Sequence, residues 1–154
     1  MNLPLMAGVA FLLFGIYLLK HAISRYKKAK MSRHWPVVDG RLTEVKLWGP
    51  RLVDGKTTDA EKLNVAYSYV VDGTAHSGRR ASFYTMVYPE TLDFARRHAV
   101  GSDIAVYYNP RNPADAVIIT GLKKDKPYSD VILGVLAVVI GAVIAVLAWF
   151  NVIG

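Results

Sequence analysis

Four histidines, His21, His34, His76 and His98, are the side chains best suited to move a proton near neutral pH or to hold a metal. None stands at ligand spacing from another: there is no H-x-H or H-E-x-x-H, and no cysteine to complete a thiolate site or a disulfide. Solvated or capping roles are expected for all four, with no metal and no cofactor. Asp72, His76 and Ser77 supply the residue types of a nucleophilic triad. Successive side chains on a strand point to opposite faces, however, so the adjacency of His76 and Ser77 works against a shared site. No G-x-S-x-G elbow and no phosphate-cradling glycine loop occurs. These residues point to a non-enzymatic chain; a membrane-bound hydrolase or lipid-modifying enzyme using His76 or His98 is the alternative.

The elements that position these residues follow from where apolar residues concentrate. Leu3 to Leu19 is free of charge, and in Val131 to Ile153 the only strongly polar side chain is Asn151. As helices the two runs reach about 25 and 35 Å, enough to enter and cross a bilayer core. The first can extend through Ile23, with Lys20 snorkelling its amine toward headgroups. A secretory signal would place its basic residues before the apolar run, but here they follow it, so an uncleaved anchor is expected.

The chain carries 19 Lys and Arg against 12 Asp and Glu, a net charge of +7. From His34 to Leu122 the counts are ten and ten, so the excess flanks the apolar runs. Lys20, Arg25, Lys27, Lys28, Lys30 and Arg33 hold most of it. A nucleic-acid groove would put that charge on the folded domain, so nucleic acid is excluded as a partner. Juxtamembrane bases instead attract anionic lipid headgroups and orient the chain, with the loop in the cytoplasm and both termini outside. Gly134, Ala137, Gly141, Ala145 and Ala148 form a small-residue stripe on one face of the second span, and Gly8 and Gly15 offer a matching face on the first. The stripe serves a two-helix hairpin within the chain or, alternatively, a homo-oligomer through the second span.

The organisation read from this is a transmembrane helix at 1–23, a basic juxtamembrane segment at 24–33, a β-rich domain at 34–122, a linker at 123–130 and a second transmembrane helix at 131–153. Within the domain, Val37 to Trp48 reads as a strand cut by Gly49-Pro50, and the polar Arg51 to Ala60 as a loop. Lys62 to Val71 alternates and is joined through Asp72-Gly73 to an extended stretch, Thr74 to Phe83, a hairpin signal. Pro89 to His98 reads as a short helix burying Leu92, Ala95 and Ala99 and ended by Gly101. Asp103 to Tyr108 and Ala116 to Ile119 are strands around the rigid turn Asn109-Pro110-Arg111-Asn112-Pro113. The fold class is membrane-anchored α+β: two transmembrane helices flank a small, mostly antiparallel β domain, open or barrel-like, with one short helix.

Trp35 after the first span, the Tyr67-Ser68-Tyr69 strand, Asp72-Gly73 followed by Gly78, and Gly101 leading into Val106-Tyr107-Tyr108-Asn109-Pro110-Arg111-Asn112-Pro113 together resemble DUF3592, a family of small bacterial membrane proteins. The resemblance covers Trp35 to Gly121 and implies architecture, a bacterial inner-membrane location and no catalytic residues. The expected role is a membrane-anchored interaction or scaffold module with an unidentified protein partner, in which either Tyr107 or Tyr108 could point outward as an anchor. An immunity-type protein against a membrane-acting toxin is a further alternative.

Overall fold

The computed structural model describes residues 3–123, 129–150 and 152. The chain divides into two compact units, one of Met1–Lys28 with Lys124–Gly154 and the other of Ala29–Lys123.

Two Asp-Gly turns frame the β unit. Asp54 and Asp72 both have φ near 50°, followed by Gly55 at 77° and Gly73 at 78°, the paired positive angles a two-residue hairpin turn needs. The first turn joins β1 (Val37–Val53) to β2 (Lys56–Val71), and the second joins β2 to β3 (Thr74–Gly78). A short helix, α2 (Glu90–Arg97), and a second hairpin, β4 (Asp103–Asn109) with β5 (Asn112–Val117), complete the unit. The sheet runs β3-β2-β1-β4-β5, with every neighbouring pair antiparallel. It is open, not a barrel. Its edges are linked by the Ile119 N–H donating to the Ala81 carbonyl at 2.8 Å and by side chains, with no ladder between β3 and β5.

The long first hairpin corrects the sequence reading of Arg51 to Ala60 as a loop. Gly49 adopts φ +85°, and the register slips between Trp48 and Pro50. The irregularity absorbs the Gly-Pro pair, and β1 continues past it to Val53 instead of ending at Trp48. Lys56 to Asp59 are polar because this arm is exposed, not because it lacks structure. β3 is shorter than the expected Thr74–Phe83. The Tyr67 ring packs against Gly78, where any Cβ would collide with it, and its hydroxyl donates to the Arg80 carbonyl at 3.0 Å, drawing the chain off the ladder. The last strand begins earlier than expected, at Asn112.

Alternation along β2 puts Val65, Tyr67, Tyr69 and Val71 into a core shared with Leu42, Phe94, Ile104, Val106, Ala116 and Ile118. Helix α2 buries Thr91 and Phe94, not the expected stripe of Leu92, Ala95 and Ala99. Phe94 is the largest apolar side chain available, and the Thr91 hydroxyl satisfies itself on the Ala60 carbonyl, so a polar residue takes a core-facing position.

In the other unit, α1 (Leu3–Met31) does not end near Ile23 but carries the basic residues to Met31 as helix, and a 3-10 turn at Ser32–His34 follows. Helix α3 spans Ser129–Trp149. Asn151, Ile153 and residues 124–128 of the expected linker lie outside the described residues. Both helices are long and apolar enough to cross a membrane. Glycine brings them together: a Cβ on Gly8 would lie 2.7 Å from the Ala145 nitrogen, one on Gly15 2.6 Å from that of Val138, and one on Gly141 2.5 Å from that of Leu12. Ala22 extends this seam, one heptad after Gly15, and is buried. The large apolar side chains point the other way, with Phe11, Leu13, Ile132, Leu136 and Val143 all exposed.

Candidate functional site

A concavity lies beside β2. Its cavity volume is about 610 Å³. Trp48, Lys62 and Asn64 line it from one face of the sheet, Leu63 and Val65 from the other. Side chains of both faces can border one space only where that space sits at the strand's edge. The opposite wall is the chain leaving β3, from Ser77 through Met86, with Ala114 to Ala116 of β5 closing one end.

This wall is held by a polar cluster. Arg80 Nη1 donates to Asp115 Oδ1 at 2.7 Å, and the Asp115 side chain is only 11% exposed. The guanidinium also lies over the Phe83 ring, 5.0 Å from its centroid. The Tyr69 hydroxyl donates to the Pro113 carbonyl at 2.6 Å. Burial raises the Tyr67 phenol above its ordinary value, with neighbouring Tyr69 adding to the effect. Burial raises Tyr69 as well, helped by the Asp115 carboxylate. Both phenols are therefore neutral donors at physiological pH. Further along, Glu90 Oε1 accepts from the Tyr84 hydroxyl at 2.5 Å and from Lys123 Nζ at 3.0 Å, which ties the start of α2 to the wall.

The rim is basic. Lys62 lies over the Trp48 ring at 4.6 Å, and Trp48 Nε1 donates to Asn64 Oδ1 at 3.1 Å. Arg79 is 77% exposed and held only loosely, 3.7 Å from Glu44. Such a cleft can bind through exposed aromatic and guanidinium groups set on a rigid sheet.

The residues singled out from sequence are scattered. His76 stacks on Tyr69 with ring centroids 5.5 Å apart, and His98 on Phe94 at 4.3 Å, its Nδ1 3.0 Å from the Phe94 carbonyl. Asp72 occupies its turn. His21 packs on Tyr17 at 4.5 Å. Trp35 is buried edge-on to Phe83 at 5.8 Å. In the Asn-Pro motif, Asn109 Oδ1 accepts the Arg111 N–H at 3.0 Å, Pro110-Arg111 form the turn, Asn109 pairs with Asn112, and Pro113 receives Tyr69. Tyr107 and Tyr108 are both half-buried. Among the bases, Arg25 pairs with Asp130 at 3.2 Å and Arg33 donates to the Leu122 carbonyl at 3.2 Å, while Lys20, Lys27 and Lys30 are exposed and Lys28 half-buried. Gly134, Ala137, Gly141, Ala145 and Ala148 line the side of α3 that is buried or half-buried. The cleft residues Lys62, Arg79, Arg80 and Asp115 escape sequence reasoning. The one local signal is an Arg-Arg pair directly after Gly78, and its partner Asp115 stands 35 residues away from Arg80.

The family model described as a domain of unknown function, DUF3592, matches residues 38–123. No curated protein and no solved structure matches the chain.

Proposed function

This chain belongs to the DUF3592 family, and from that premise we propose that it is a non-enzymatic, membrane-anchored module that binds a protein partner through the cleft beside β2. The observation that carries this reading is the cleft itself, with an exposed Trp48 and Lys62 on the sheet and an exposed Arg79 on a wall fixed by Arg80, Asp115 and two satisfied tyrosines. Aromatic and guanidinium side chains are the types that dominate protein–protein binding energy.

Anchoring rests on the two helices, whose outward faces carry Met6, Phe14, Ile16, Leu133, Val139 and Val146 exposed. A surface of this kind has no stable place in water and is matched by lipid. The basic run on α1 supports an orientation with the β domain on the cytoplasmic side of a bacterial inner membrane, where the exposed Lys20, Lys27 and Lys30 would meet anionic headgroups.

The test is photocrosslinking in cells, with a photoreactive residue in place of Thr85 in the cleft wall or of Thr57 on the exposed arm. A discrete protein adduct from position 85 and none from position 57 is expected. Equal labelling from both positions, or from neither, removes the cleft as a binding site. An epitope at the same arm, protected from label in intact spheroplasts, checks the orientation.

A further inference from the structure

We infer that the cleft takes an extended acidic peptide as an added strand on β2, along Lys62 to Ala66; this rests on the binding-module reading above and specifies its ligand. The argument begins with hydrogen-bond direction. Val71 and Thr74 close the two-residue turn at Asp72-Gly73, so Val71 directs its N–H and C=O toward β3. Direction alternates along a strand, so Tyr69 and Tyr67 do the same, and so do Val65 and Leu63. But β3 ends at Gly78, opposite Tyr67. Beyond that point the chain is pulled over the core by the Tyr67 hydroxyl on Arg80 and the Ala81 carbonyl on Ile119. Among the described residues, no backbone hydrogen bond from another segment reaches that side of Leu63 or Val65.

The cleft therefore has a strand edge for its floor, with donors and acceptors at the spacing of a ladder. Five residues of β2 offer about 17 Å of pairing length. Strand addition draws affinity from main-chain bonds and specificity from alternate side chains. The bases at this rim are Lys62, over the Trp48 ring, and Arg79, 3.7 Å from Glu44 and 77% exposed, against one lining carboxylate, Asp115, engaged by Arg80. Acidic residues at alternate positions of the incoming strand complement them. The same two bases, with no strand partner, guard the edge against indiscriminate pairing.

The experiment uses the full chain in nanodiscs of mixed zwitterionic and anionic lipid, panned against a displayed library of random dodecapeptides, with empty nanodiscs as the counter-selection. Proline-poor peptides with Asp or Glu at alternate positions should be enriched. Synthetic copies N-methylated at alternate nitrogens should bind at least about tenfold more weakly, as the loss of one or two net hydrogen bonds requires. Val65→Pro, which removes a donor facing the cleft and none facing β1, should abolish binding while near-UV circular dichroism stays native. Arg79→Glu should abolish the preference for acidic peptides and serves as the second variant should Val65→Pro disturb the fold. Peptides indifferent to N-methylation, or enrichment of proline-rich or basic sequences, overturn strand addition even if the Thr85 crosslink persists, in which case the module reading stands with a different binding mode. No enriched peptide together with no crosslink at position 85 removes both.

Discussion

The helix pair and the β domain solve the same problem, bringing two elements into contact, with opposite residues. In the helix pair, contact is made by what is missing: Gly8, Gly15 and Gly141 let backbone approach backbone, while Phe11, Leu13 and Leu136 face away. In the β domain, contact is made by the largest side chains, Tyr67, Tyr69 and Phe94, and a small residue such as Gly78 serves to make room for one of their rings. The difference matches the surroundings each unit suits, water for the β domain and lipid for two helices long and apolar enough to cross a membrane. Water rewards burial of large apolar groups, whereas lipid is as apolar as leucine and leaves only close packing to distinguish one helix face from another. A tyrosine in the core must also find an acceptor, and both core tyrosines reach a backbone carbonyl.

Overfilling the helix seam gives the sharpest break of that contrast. Gly141→Leu forces a side chain into the Leu12 backbone and should separate the helices at a cost of about 3 kcal/mol. Spin labels at the exposed positions Leu13 and Val139 would report the wider distance, and an unchanged distance would show that the seam tolerates bulk. In the β domain the comparable loss comes from deleting a charge. Asp115→Ala strands the half-buried Arg80 and should lower stability by about 2 kcal/mol, read from the urea midpoint by tryptophan fluorescence. An effect under half of that would mean that solvent replaces the carboxylate.

A third test exploits the phenols. Tyr67 is held protonated in the fold above the pH at which an unfolded tyrosine ionises, so the unfolded chain binds fewer protons in that range. Stability from this group is complete below about pH 10, the ordinary tyrosine value, and falls as pH rises beyond it. Tyr67→Phe should flatten that alkaline decline while costing about 1 kcal/mol at neutral pH for the lost bond to Arg80. Urea titrations at several alkaline pH values separate the two effects. The smallest change belongs to the solvent-facing side of the sheet. Arg41 and Asp103 meet at 3.5 Å but are 67% and 81% exposed, so Arg41→Ala should shift stability by less than about 0.5 kcal/mol. A larger shift would mean that exposed pairs matter here as buried ones do.

Much of this contrast was legible in the residues. The charge-free runs led to the two long helices, and the alternation of β2 with the Asp72-Gly73 turn led to the β2–β3 hairpin. The errors share a cause. Gly49-Pro50 is a terminator by local propensity, yet a strand already paired on one side passes through it by slipping register. Leu92 outranks Thr91 by hydropathy, yet the Ala60 carbonyl needs a donor there. Burial of α2 was decided by a group 31 residues away. The cleft was invisible for the same reason, since its walls come from β2, the segment after β3 and β5, and only folding brings them to one edge.

The Asp54-Gly55 turn also bears on the order of events during synthesis. It joins β1 to β2 through a pairing that begins with Val53 opposite Lys56 and needs no distant segment. The other edge of β1 waits for β4, and Val37 meets Tyr107 only after seventy further residues have been made. Local contacts close quickly and distant ones slowly. The long arm is therefore the first part of the sheet able to assemble, and it holds β1 in register as a template while the rest of the domain is still arriving.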